Sequence, residues 1–226
     1  MNIMNISQNE LYKILRDMVI SFQFPPDTNI SESDLAKQFG VSRTPIRQAL
    51  QKLSTKKLII QRPSKGFFSR KIDKKEIFDL YELRECIEAK SVLLACKNAS
   101  DEELKGFYHH WEKSQSMPPG VSTERLHQRD RQFHMYIADL GNNRQIRELL
   151  SDINDRIYFI RWIDMTSKTE NTQTEHAKIV HFMMDRKGEQ AAAVMQKHIN
   201  RRMEDIESSI KEAYVRIFTG HLPMEE

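Results

Sequence analysis

Asp130 and His134 lie four residues apart in a helically patterned stretch, so one turn separates them on a common face. His176 and His198 fall in two later helical stretches. One carboxylate and three imidazoles from three helices form a set suited to a divalent cation inside a helical bundle. Such a cation can clip helices together, or it can keep coordination positions open for a small anion. The chain has eight histidines, and isolated helical histidines more often belong to surfaces or satisfied cores. His109, His110, His127, His181 and His221 are read that way. His127 is the competing ligand, because it precedes His134 by seven residues on the same face. No nucleophile or general-base pattern accompanies the set, which weighs against a metal-dependent enzyme.

A second group of residues suits a polyanion. In Ser31–Leu53, SESDLAKQFGVSRTPIRQALQKL, two short helices flank a tight turn at Gly40. Ser31 or Ser33 caps the first helix and Ser42 the second, with Pro45 tolerated in the first turn. Ile46, Ala49, Leu50 and Leu53 form the buried stripe of the second helix. Arg43, Thr44, Arg47, Gln48 and Gln51 are left outside, where such side chains contact phosphates and base edges.

The surrounding elements position these groups. A helix over Asn9–Ser21, with Leu11, Ile14, Leu15, Met18 and Val19 on one face, is stopped by Phe24-Pro25-Pro26-Asp27. After Leu53, the strand-like Leu58–Gln61 and Phe67–Ser69 flank the turn residues Pro63–Gly66, a hairpin placed as a wing. Beyond Asp73 strand signals vanish. Helices are expected over Lys74–Lys97, from a capping box at Ser100–Glu103 to Gln115, and over Thr123–Leu140, Asn143–Asp164, Thr172–Arg186 and Glu189–Phe218. A break is expected at Met117–Gly120 and a polar loop at Met165–Asn171. The fold class is thus mostly α, with a winged helix-turn-helix over 1–72 and an all-α six-helix bundle over 73–226.

Charge follows the same division. Residues 1–72 carry 12 Lys/Arg against 5 Asp/Glu, so the head is +7 and the remainder −4. A basic head on a mildly acidic body fits a nucleic-acid partner for the head. No apolar run approaches the roughly 20 residues of a membrane helix. The start, MNIMNISQNELYK, lacks the basic region and apolar core of a signal peptide, so a cytoplasmic protein is expected. Cys86 and Cys96, nearly three turns apart on one helix, cannot bridge each other and are expected as buried, reduced thiols.

The segment FPPDTNISESDLAKQFGVSRTPIRQALQKLSTKKLIIQRPSKGFF resembles the winged-helix head of the GntR superfamily of bacterial transcription regulators, most specifically in GVSRTPIRQAL and the Gly-tipped wing. The resemblance places Arg43, Thr44 and Arg47 on operator DNA, with Gln48 beside them. It sets Lys65 and Gly66 at a wing tip entering the minor groove, and Glu32 at the acidic position opening the second helix. The family usually has Gly at Asp27 and Glu-Gly at Lys56-Lys57, and some relatives carry arginine at Ser33.

Residues 78 to about 213 resemble the FCD-type effector domain of these regulators, in the shorter six-helix, VanR-like form of the FadR subfamily. The markers are LYELRECIEAKSVLLA, DRQFHMYI, EHAKIV and QKHINRRM. The resemblance implies a divalent metal (zinc first, nickel or manganese otherwise) on Asp130, His134, His176 and His198. It further implies a small carboxylate effector, a homodimer and a palindromic operator. Arg84 and Asn200 are its effector-binding candidates, an Arg84–Glu88 ion pair being the alternative for Arg84. The alternative ligand is apolar, with the metal site unused.

Overall fold

The computed structural model describes residues 6–115, 121–165, 169–204 and 206–223, with backbone alone at 113–115, 169–171 and 201–204. The break expected at 117–120 lies outside the described residues. Among those described, the chain forms eleven helices and three short strands. In order they are α1 (Gln8–Ile20), β1 (Asn29–Ile30), α2 (Glu32–Phe39), α3 (Arg43–Thr55), β2 (Ile59–Arg62), β3 (Gly66–Ser69), α4 (Lys74–Asn98), α5 (Asp101–Gln115), α6 (Thr123–Leu140), α7 (Arg144–Arg156), α8 (Tyr158–Met165), α9 (Thr169–Met184), α10 (Gly188–Glu204) and α11 (Ile206–Thr219). No described helix is long and apolar enough to cross a membrane.

The chain divides into two compact units between Asp73 and Lys74, and the first unit also takes in residues 214–223. Within that unit the Tyr214 hydroxyl donates to the Ile72 carbonyl at 3.1 Å.

In the first unit, α1, α2 and α3 bury one face each. Leu11 and Leu15 of α1, Leu35 of α2, and Ile46, Leu50 and Leu53 of α3 are all nearly inaccessible to solvent. A fully buried side chain of this kind contributes roughly 1.5–3 kcal/mol. Ile14, expected on the buried face of α1, is 38% exposed. Ser31 caps α2 by accepting from the Asp34 amide at 3.2 Å, and Gly40 ends it with φ +64°. Ser42 occupies the cap position of α3 but makes no side-chain capping bond.

The wing pairs β2 with β3 antiparallel, Ile59 opposite Ser69 and Arg62 opposite Gly66. The two-residue β1 adds a third strand on the far side of β3, which no alternation pattern reveals at that length. Asp27 and Lys57, where the resembled family carries glycine, have φ of +63° and +58°. The left-handed conformation disfavours a side chain there. Asp27 offsets this by accepting from Arg62 and lying 3.5 Å from Lys71. The Lys57 side chain has no such compensation among the described residues; only its carbonyl accepts, from Arg70 Nη1 at 2.5 Å. Lys57→Gly is therefore expected to stabilise the head by about 1 kcal/mol, read as a rightward shift of the urea midpoint at unchanged slope.

In the second unit, α4 carries a buried stripe of Ile77, Leu80, Tyr81, Arg84, Glu88, Ser91, Val92 and Ala95. Two charged residues, Arg84 and Glu88, interrupt that stripe at its centre. Cys86 lies two residues from both, so it turns outward; it is exposed rather than buried, and Cys96 is half-buried. α10 packs along α4 and α9, and α6 against α4, α7 and α8. A single helix was expected over 143–164. The structure breaks it at Ile157, a wholly buried residue with φ −104° and ψ 6°. The β-branched and aromatic run Ile157–Ile160 favours helix weakly. α9 begins at Thr169, three residues before its expected start.

Candidate functional site

α6 is capped by Ser122, whose hydroxyl accepts from the Arg125 amide, and turns His127, Asp130, Phe133, His134 and Ile137 inward. Asp130 and His134 meet His176 of α9 and His198 of α10, all four buried. His134 Nε2 lies 3.7 Å and His176 Nε2 3.5 Å from Asp130 Oδ1, and the His176 and His198 Nε2 atoms are 3.3 Å apart. One ligand atom from each of the four lies within 4.8 Å of every other. Ligands at about 2.0–2.2 Å from a cation stand about 3–3.5 Å from each other, so the set fits a divalent ion. Asp130 Oδ1 is buried with no hydrogen-bond partner among the described residues, as an oxygen reserved for a cation would be.

The surrounding groups orient this set. Glu88 Oε2 contacts His134 Nδ1, and Glu175 Oε2 lies 2.8 Å from His198 Nδ1. Each carboxylate draws the ring proton to Nδ1 and leaves Nε2 as the ligand atom. Arg84 Nε in turn donates to Glu88. Burial by itself would raise the Glu88 pKa. The charges of Arg84, His134 and Arg161 and the bond to His134 outweigh it and hold Glu88 well below the usual range, so it stays ionised. Arg161 donates through Nη2 to Asp130 Oδ2 and through Nη1 to Asn154 at 2.8 Å. His176 stacks on Phe133 at 3.8 Å between ring centroids, with Trp111 at its edge.

A cleft of about 30 Å³ reaches Asp130 and His176 and is lined also by Trp111, Arg129, Thr172 and Gln173. The Arg129 guanidinium lies 4.8 Å from the centre of the Trp111 ring.

The structure brings together all four residues singled out for a metal, and His127 stays outside the set. His109, His110, His181 and His221 are exposed. Arg84 is 1% exposed and paired with Glu88, the alternative raised for it. Asn200, the other effector-binding candidate, lies on the outer face of α10. It follows His198 by two positions, about 200° round the helix, and is exposed.

Sequence reasoning missed Glu175, Arg161, Asn154 and Arg129. Glu175 adjoins His176 in sequence yet serves His198 on the next helix, a cross-helix partnership that spacing does not encode. Arg161 of α8 reaches Asp130 of α6, again across helices.

In the head, Arg43, Thr44, Arg47, Gln48 and Lys65 are exposed. The Glu32 carboxylate accepts from Arg47 Nε at 3.1 Å and Nη2 at 3.2 Å, with Arg43 Nη2 at 3.9 Å. Gln8 Nε2 donates to Gln48 at 2.7 Å. Gly66 has φ +86°, and the Asn29 amide donates to the Lys65 carbonyl at 3.2 Å, bracing the wing tip.

Residues 7–68 match the family model described as bacterial regulatory proteins, gntR family, and residues 79–201 match the FCD domain. The Nta operon transcriptional regulator of Aminobacter aminovorans is 35% identical over 205 residues, covering 89% of this chain and 95% of that protein. An uncharacterised HTH-type regulator of Bacillus subtilis, YdhC, is 28% identical across 90% of this chain and 92% of its own length. A putative GntR-type regulator from Rhodococcus sp. RHA1 has the same fold at a TM-score of 0.70, with 21% identity over 89% of this chain and 97% of that one. All three of these proteins are named as transcriptional regulators. The chain belongs to the GntR family of bacterial transcriptional regulators, as a DNA-binding protein that carries an FCD effector domain.

Proposed function

We propose that this regulator binds a palindromic operator as a homodimer, and that a small carboxylate bound at a divalent metal in the helical domain modulates that binding. The observation that carries the reading is the buried Asp130–His134–His176–His198 set, whose imidazoles present Nε2 inward with Nδ1 of His134 and His198 held by carboxylates. Zinc is the ion of choice for three imidazoles and one carboxylate, with nickel or manganese as alternatives. When bound, the ion supplies open coordination positions of positive charge.

Local charge supports an anionic effector. Asp130, Glu88 and Glu175 carry three formal negative charges, and Arg84 and Arg161 two positive ones, a net of −1. A divalent ion makes the buried group +1, which an anion neutralises and an apolar ligand does not. The cleft at Asp130 and His176 offers a path for it, with Arg129 at its wall.

In the head, Arg43, Thr44, Arg47 and Gln48 read the major groove while Lys65 and Gly66 approach the minor groove. Glu32 holds Arg47 in an ordered fork until DNA takes it over. One recognition helix reads few base pairs, so two are required. An effector changes operator affinity only by binding two arrangements of the dimer unequally.

The test is a thermal-shift screen of small carboxylates on the full zinc-loaded chain, repeated after a chelator. A stabilising shift that disappears with the metal is expected. A shift that survives complete metal removal, or one produced by fatty acids and not by small carboxylates, overturns the reading.

A further inference from the structure

The cleft that reaches Asp130 and His176 measures about 30 Å³, room for roughly one or two water molecules and too little for an organic acid of several carbon atoms. Trp111 of α5 lines it and is buried. Trp111 also lines an outer groove of about 490 Å³ formed by residues of α5 and α9, and among the described lining residues it alone is shared by the two. A groove of that volume can take a drug-sized molecule, so it has room for an indole. In its present seat the indole has Arg129 over its face at 4.8 Å, Phe133 tilted against it at 4.8 Å and His176 edge-on at 5.2 Å. The outer groove offers partners of the same kind, the rings of Tyr108 and Phe182 and the ammonium of Lys178. Among the described side chains of α5, only Leu104, Phe107 and Trp111 are buried, and Trp111 is the last of them along the helix. A turn about its own side-chain bonds therefore leaves Leu104 and Phe107 seated.

Resting on the metal reading of the site, we propose that Trp111 is a gate: seated inward, its indole closes the cleft, and swung into the outer groove it opens a passage from solvent to the Asp130 and His176 side of the cluster. Each seat offers aromatic rings and one cation, so the indole exchanges like for like and the open state lies within thermal reach. A gate that closes over the empty and the filled site alike slows arrival and departure by the same factor. It sets the rates of exchange and leaves the affinity alone. A residue that merely braces His176 acts differently, because its loss shortens the stay of the metal and leaves its arrival unchanged.

Two variants of the full chain test this from opposite sides. Trp111→Phe keeps an apolar ring in the core and shrinks the gate. Ala177→Trp, at an exposed position on the wall of the outer groove, keeps Trp111 and occupies the space it would swing into. Zinc alone is the probe. Its uptake by the stripped protein and its release into excess chelator are timed by stopped-flow, and its Kd is measured separately by competition. Uptake and release are both expected to quicken about tenfold in Trp111→Phe and to slow about tenfold in Ala177→Trp, with the Kd unchanged within about twofold. The gate is overturned if Ala177→Trp exchanges zinc at the wild-type rates, or if Trp111→Phe speeds release without speeding uptake, which marks a bracing residue. Should Trp111→Phe fail to fold, the rates of Ala177→Trp decide alone. A wild type that binds zinc while neither variant alters its exchange overturns the gate and leaves the metal reading standing. A wild type that takes up no zinc removes the metal reading, and the inference with it.

Discussion

Alanine at both His134 and His198 is expected to leave the purified chain with less than about a tenth of the wild-type metal content, measured by elemental analysis after dialysis. The double change removes two of the four converging ligand atoms and leaves Asp130 Oδ1 and His176 Nε2, 3.5 Å apart, as a two-point site. The orienting carboxylates make a finer prediction. Glu88→Gln keeps the volume and removes the charge that holds the Nδ1 proton of His134. A loss of metal affinity of about 10- to 100-fold is expected, with both histidines intact. The stripped protein also melts lower, because an ion that binds only the folded state stabilises it by an amount that grows as the logarithm of one plus the ratio of free ion to its Kd. Wild-type metal content in the double variant would show that the cluster is a packed core and not a cation site.

Arg47→Ala is expected to weaken operator binding by about 1–3 kcal/mol, roughly 5- to 150-fold in Kd, read by fluorescence anisotropy at fixed salt. The side chain is 59% exposed and among the described residues pairs with Glu32, so little folded-state packing is lost with it. Its fork is already shaped by the Glu32 carboxylate, which lowers the ordering cost on binding DNA. Lys65→Ala at the wing tip should behave differently, weakening specific and non-specific DNA alike and flattening the salt dependence. An unchanged Kd for Arg47→Ala would remove α3 from the role of recognition helix.

Legibility differed between the two units for physical reasons. In the head, capping residues, Gly40 and the turn chemistry around Pro63–Gly66 are local signals, and α2, α3 and the wing hairpin lie where those signals put them. The strand β1 was hidden because two residues cannot display a period of two. Positive φ at Asp27 and Lys57 was visible only through the glycines of the resembled family. In the body, the i, i+4 spacing of Asp130 and His134 is a local signal, whereas the convergence of His176 and His198 on them is set by how α9 and α10 pack. Spacing left His127 as a rival to these ligands, and packing separated them. Glu88 was visible as a partner for Arg84, one turn away, but its contact with His134 crosses from α4 to α6. The break at Ile157 lies inside a run that reads as one continuous helix.

The central claim is that a carboxylate bound at the metal controls the hold of this protein on DNA. It is tested most directly by measuring the Kd of the full chain for a palindromic site beside its own gene, across small carboxylates, in zinc-loaded wild type and in the His134→Ala, His198→Ala double variant. At least one carboxylate is expected to shift the wild-type Kd by about fivefold or more and to leave the double variant unmoved. Equal shifts in both proteins, or a wild-type Kd that no carboxylate moves, would contradict the account.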